Sequence, residues 1–242
     1  MKKLVNKKRL LVAFIAVISA VCGVALSALA ASDRAMAERD NLPFTVVIDA
    51  GHGGIDGGVS GTNTGVTESE LNLAVAKLLR EDFSAAGFRV VMTRTTSAGL
   101  YGSAQTSLKK ADMKNRKRII DGCSPDLVIS IHMNRYSLPS RRGAQVFYKK
   151  GDGQSSLLAE SIQLQLNGME EAARECSALT GDYYILNVSP CPAVIVECGF
   201  LSNAEDEALL VTEEYRQRIA YVIFKGAIGY MADASAFLEK TA

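Results

Sequence analysis

Two hydrophobic periods alternate along this chain. Three short runs, Thr45 to Asp49, Leu127 to Ile131 and Ala193 to Val196, are almost continuously apolar and rich in β-branched residues. Such runs predict strands buried on both faces, as in a parallel sheet. Phe88 to Thr93 predicts a further strand, and the weakly alternating Gln145 to Tyr148 an edge strand. Between them the period changes to that of a helix. Leu71, Ala74, Val75, Leu78, Leu79 and Phe83 recur at the spacing of one helical face, which predicts a helix over 69–86 with Gly87 as its C-cap. A short basic helix is expected over 114–122. A longer one runs from 154 to about 176, with Leu158, Ile162, Leu166 and Met169 on its apolar side. Ser202-Asn-Ala-Glu205 has the capping-box pattern and opens a final helix to about 231. Residues 95–113 and 135–143 read as loops, and 183–187 as extended.

Alternating strands and helices predict the α/β class: a single three-layer domain with a central, mostly parallel twisted sheet flanked by helices. Ligands of such sheets sit outside the carboxyl ends of the strands. His52, His132 and Glu197 all fall at such ends, and Glu68 falls at a helix start. The chain has only two histidines, and both are in this group. Two imidazoles and a carboxylate make a catalytic zinc set with an open position, and a further carboxylate outside it can move a proton. Blander roles stay open on the residues alone. A strand-end histidine can serve as a structural hydrogen-bonder, Glu68 can complement a helix dipole, and Glu197 can pair with a buried arginine. Arg116, in the basic helix, fits either a solvated face or a place near the site. The glycines from Gly51 to Gly58 have neither of the usual phosphate-loop continuations, so they are read as letting the backbone turn tightly around His52.

Composition changes the picture mainly at the N-terminus. Lys2, Lys3, Lys7, Lys8 and Arg9 precede an uncharged stretch from Leu10 to Ala31. This is the layout of a signal peptide or a membrane anchor over residues 1–31, followed by a polar tether over 32–43. Ala28-Leu29-Ala30 offers a cleavage pattern. Val21 is too bulky to support lipidation of Cys22. The basic flank stays in the cytosol, so the remainder is expected to be exported, secreted or membrane-anchored. Without those five cations the formal charge moves from +1 to −4, which argues against nucleic acid as a partner. Cys123, Cys176, Cys191 and Cys198 show no CxxC spacing and are expected to be free or buried thiols.

The runs Ile48-Asp-Ala-Gly-His-Gly-Gly54, Glu68-Ser-Glu-Leu-Asn-Leu73, Ser130-Ile-His-Met-Asn134 and Val196-Glu-Cys-Gly-Phe-Leu-Ser-Asn203 resemble the four signature motifs of zinc-dependent N-acetylmuramoyl-L-alanine amidases. They occur in that family's order, and Val91-Met-Thr-Arg94 matches a weaker fifth segment. The resemblance covers nearly everything from residue 44 onward and implies a catalytic domain over 44–235. It implies that His52, Glu68 and His132 hold one Zn²⁺ and that Glu197 is the catalytic carboxylate. Glu70 stands where the family usually has aspartate and is read as a neighbour. Ala50, Met133 and Cys198 stand at positions that leave the ligands untouched. The implied reaction is hydrolysis of the amide between the lactyl group of N-acetylmuramic acid and L-alanine of the stem peptide. Asn134 and Arg135 flank a ligand and are candidate substrate-binding residues. The loop with Arg135, Arg141 and Arg142 is a candidate for steering the anionic stem.

A single such domain behind an N-terminal apolar segment is similar to the germination-specific amidases of the spore cortex, which implies a role in making muramic δ-lactam. The segment from 135 to 196 offers no obvious helix to plug the site, and no wall-targeting repeat is evident. Peptidoglycan is therefore the expected partner, with an accessory protein for recruitment or activation, and the membrane if the leader is retained. The rival readings are a zinc carboxypeptidase and a wall-binding module that has lost catalysis.

Overall fold

The apolar runs become the centre of a six-stranded sheet. The computed structural model describes residues 44–241, so the expected N-terminal leader and Cys22 lie outside the described residues. The elements, in chain order, are β1 (Thr45–Ala50), α1 (Glu68–Ala85), β2 (Arg89–Met92), α2 (Leu108–Cys123), β3 (Leu127–Asn134), β4 (Gln145–Tyr148), α3 (Gly153–Asn167), β5 (Leu179–Thr180), α4 (Tyr184–Val188), β6 (Ala193–Phe200), α5 (Ala204–Leu210) and α6 (Glu213–Thr241). The strand order is β2-β1-β3-β6-β4-β5. The first four are mutually parallel, and β4 runs antiparallel to β6. Among the described residues, no helix is long and apolar enough to cross a membrane.

Alternation along the strands divides the core into two layers. Val46, Ile48 and Ala50 of β1 face one way, with Ile129, Ile131, Val194 and Val196, and pack against α1, α3 and α6. Val47, Val128 and Ile195 face the other way, against Ile120 of α2 and Ile185 and Leu186 of α4. Both faces are covered, which explains why these strands read as continuous apolar runs. The second face also carries the polar members of the same alternation. Asp49 pairs in register with Ser130, and His132 with Glu197. The register shifts just beyond, between His132 and Asn134.

Several local expectations are corrected. α2 begins six residues earlier than its basic stretch suggested, following Ser107 in the left-handed region. The stretch expected to be extended at 183–187 is instead the short helix α4, because Ile185 and Leu186 must both point at one sheet face. α3 stops at Asn167 with Gly168 as its cap, well short of 176. β4 is not an edge strand, since β5 pairs outside it. The last helical stretch is two helices, and Asn203 caps the first by accepting from the Glu205 and Asp206 amides. Cys123, Cys176 and Cys198 are free thiols, as expected.

Two glycines distinguish packing from propensity. A Cβ on Gly226 of α6 would sit 2.5 Å from the Cα of Ile162 on α3, backbone that cannot swing away. A Cβ on Gly122 of α2 would meet nothing within 4 Å. In urea denaturation, Gly226→Ala should lose roughly 1–3 kcal/mol by overpacking. Gly122→Ala should gain about 0.5 kcal/mol from reduced freedom of the unfolded chain.

Candidate functional site

The carboxyl end of β1 turns at His52, whose φ of 59° lies in the left-handed region, uncommon for a residue with a side chain. Two buried arginines hold this turn by its carbonyls. Arg116 donates to the oxygens of Ala50 (2.7 Å) and His52 (2.6 Å). Arg94 donates to Ala50 (2.9 Å) and Gly51 (2.8 Å), and to Ser69 (2.8 Å) at the start of α1. Three successive carbonyls are thereby committed, which fixes where the imidazole points.

Arg116 is itself anchored by Asp49 (2.6 Å) and Asp112 (2.6 Å). Asp49 also accepts from Thr93 (2.7 Å) and Ser130 (2.6 Å). Burial would raise the Asp49 pKa, but the Arg116 charge and the hydrogen bonds from Ser130, Thr93 and Arg116 bring it down to about 2. The Asp49–Arg116 pair is therefore ionised, and its hydrogen bonds offset the cost of burying two charges.

Above this layer the predicted residues converge. His52 Nε2 lies 3.2 Å from Glu68 Oε1, and His132 Nδ1 lies 2.8 Å from the same oxygen. One donor atom from each of His52, Glu68 and His132 falls within 4.8 Å of the others, the spread expected of three ligands of a single ion. Glu68 is fixed by the amides of Val59 (3.0 Å) and Met133 (3.3 Å) and by Asn72 (3.3 Å). Burial would raise the Glu68 pKa, but hydrogen bonds from His132 and His52 outweigh it and hold the carboxyl well below its usual range. His52 is lowered by burial and raised more strongly by Glu68 and then Asp56, so it stands above its usual value. Its Nδ1 is 2.9 Å from Asp56, close but poorly aligned for a hydrogen bond.

The surrounding backbone is shaped to this cluster. A Cβ on Gly51 would fall 2.2 Å from His132 Nε2, and one on Gly58 would fall 2.3 Å from Glu68 Oε2. Gly58 also has a φ of +69°. Glu70 is turned back onto the Thr67 amide (3.1 Å), as a cap and not a ligand.

Glu197 stands beside His132 in the strand register and lines the same pocket. Its Oε2 is buried with no hydrogen-bond partner. Burial raises its pKa to about 7, moderated by His132 and His52 and reinforced by Glu68. An unpartnered carboxylate oxygen on a residue that lines the pocket of an N/O/N donor set suits a metal with an adjacent proton acceptor. Asn134 and Arg135 lie on the pocket rim, and Arg116 lies at its base. Arg142, however, is committed to Glu205 and Asp206. Asp49, Arg94 and Asp56 were not singled out in the sequence. The available signal was Asp49 itself, an acid inside a buried strand, which demands a buried cation.

Residues 46–228 match the family model described as N-acetylmuramoyl-L-alanine amidase. The chain is 34% identical to a germination-specific N-acetylmuramoyl-L-alanine amidase of Bacillus subtilis, over 78% of this chain and 80% of that protein. It is 29% identical to an N-acetylmuramoyl-L-alanine amidase of Escherichia coli, over 76% of this chain and 75% of that one. Among solved structures it resembles the CwlD amidase of Clostridioides difficile in complex with the GerS lipoprotein. That match has a TM-score of 0.75 and 34% identity, covering 78% of this chain and 98% of that one.

The raised Glu197 pKa makes a stability prediction for the metal-free protein. Folding holds the proton more tightly than the unfolded chain does, so ionised Glu197 penalises the folded state at high pH. The penalty is absent below about pH 4.5, grows as pH rises, and is complete above about 7. Glu197→Gln should therefore stabilise the metal-free protein at pH 8 by up to ~3 kcal/mol, with the gain shrinking towards pH 4.5. Denaturation across that pH range checks it, and a gain independent of pH would contradict it.

Proposed function

Because the chain belongs to the N-acetylmuramoyl-L-alanine amidase family and is an enzyme acting on peptidoglycan, we propose that it hydrolyses the lactyl–L-alanine amide with Zn²⁺ held by His52, Glu68 and His132. The observation that carries this reading is Glu68 Oε1, shared by two imidazoles beside the unpartnered oxygen of Glu197. Residues 44–235 form the catalytic domain. A wall-binding module without catalysis would have no use for this arrangement.

Bound there, zinc supplies Lewis acidity for the scissile carbonyl and for the attacking water. Glu197 accepts the proton of that water as the new C–O bond forms. It then delivers the proton to the alanine nitrogen as the C–N bond breaks, leaving a muramoyl carboxylate and a free amine. Burial raises its affinity for a proton, and a cation bound beside it would lower that affinity again, so the carboxylate can both take the proton and give it up. Glu68 stays ionised throughout, held by its amide donors. Arg94 and Arg116 hold the His52 turn against movement. Asn134 and Arg135, on the rim, contact the substrate.

The relatives support a cellular role. A germination-specific amidase is among them, and the freed muramoyl carboxylate is the group through which a muramic δ-lactam closes. We assign this chain to spore-cortex processing, outside the cytoplasm. The CwlD amidase was solved with a lipoprotein, which supports an accessory protein for this chain as well.

Digestion of cortex-type peptidoglycan followed by mass spectrometry tests the assignment. The zinc-loaded chain should release free stem peptides that begin with alanine. Chelation should abolish release and zinc should restore it. Glu197→Gln should lower the rate roughly 10²- to 10⁴-fold. Shortened peptides still attached to sugar would mean a carboxypeptidase instead.

A further inference from the structure

The metal pocket does not end at Arg135. Arg135 also borders a second groove, which it shares with Tyr136 and Ser202. Tyr136 in turn borders a third hollow, where Arg141 and Arg174 lie. Shared residues thus join three concavities edge to edge, from Glu197 outward.

Three cations along this path have no acidic partner, whereas Arg116 and Arg142 beside it do. Arg116 is buried against Asp49 and Asp112. Arg142 is spent on Glu205 and Asp206. Among the described residues, by contrast, Arg135, Arg141 and Arg174 have no acidic partner. Arg135 donates to the Ser60 carbonyl (3.1 Å). The Arg141 guanidinium lies 5.0 Å over the Tyr136 ring and 5.6 Å over the Phe200 ring. Stacking fixes the plane of a guanidinium while leaving its edge donors free to meet a carboxylate in bidentate fashion. The chain beyond its basic leader has a formal charge of −4, so this tract is a local exception and not part of a general positive field.

The reach also matches. Phe200 lies three residues past Glu197 on β6, and the bulge between them keeps the separation along the strand within about 10 Å. Three extended peptide residues span about the same distance. With the first stem residue's nitrogen at Glu197, the residues that follow it reach Arg141.

We propose that Arg135, Arg141 and Arg174 form the subsite that holds the free carboxylates of the stem peptide, so that the enzyme selects acidic stems over amidated ones. This rests on the amidase assignment and sets the direction in which the peptide lies. The stem runs out past the ends of β3 and β6, over Tyr136.

The test compares two synthetic muramoyl peptides, identical except that the stem carboxylates are free in one and amidated in the other. Calorimetry on the zinc-loaded Glu197→Gln chain should show the free form binding roughly tenfold more tightly, the scale of one hydrogen bond to a charged group. Adding Arg141→Gln and Arg174→Gln should bring the two ligands within about twofold of each other. Arg174→Gln alone, at an exposed position, should give an intermediate ratio and guards against misfolding of the double variant. Equal binding of the two ligands before the arginines are changed, or a ratio unmoved by their removal, would overturn the subsite. Turnover by the wild-type chain separates this from the underlying reading. No alanine-initiated peptide from either ligand would sink the amidase assignment, whereas cleavage of both without preference would sink only the subsite.

Discussion

Two buried acids share one pocket in this protein, and the rest of the site is arranged around that repulsion. Glu68 is kept ionised by two imidazoles and two backbone amides. Glu197, next to it, has an oxygen with nothing to bind and a pKa raised to about 7. Burying a charge without a partner is costly, and leaving a polar atom unpaired is costly too. The divalent cation proposed between Glu68, His52 and His132 would neutralise the first acid, ease the repulsion, and leave the second free to handle a proton.

The fold supports this arrangement in depth. Parallel pairing sets His132 level with Glu197 across β3 and β6, and sets Asp49 level with Ser130 one layer below. Asp49 fixes Arg116, and Arg116 with Arg94 fixes the carbonyls of the turn that carries His52. The strain of a left-handed histidine is thus balanced by a network of charge-assisted hydrogen bonds, many of them buried. Gly51 and Gly58 complete the site by leaving room for side chains that any Cβ would displace.

Much of this was legible in the sequence, and the parts that were not have identifiable causes. Continuous β-branched runs marked β1, β3 and β6 because both faces of those strands are buried. The polar residues ending each run marked the site, because a polar group at the tip of a buried strand must have a purpose or a partner. Helix α2 was misplaced at its start because it buries little beyond Arg116 and Ile120, which is too few for an apolar stripe. Residues 183–187 looked extended because tyrosine and isoleucine favour strands, yet packing against the sheet made a short helix of Tyr184–Val188. The roles of Arg94 and Asp56 were not legible because hydrogen bonds to distant carbonyls and close approach to a ring nitrogen leave no periodic signature. Arg142 looked like a free cation in a basic loop; its partners, Glu205 and Asp206, lie more than sixty residues away along the chain.

Anomalous diffraction at the zinc edge from crystals of the zinc-loaded protein tests the central claim most directly. A single strong peak should lie about 2.0–2.2 Å from one atom each of His52, Glu68 and His132, with Glu197 outside bonding range. A peak elsewhere, or one that includes Glu197 and omits Glu68, would contradict the account.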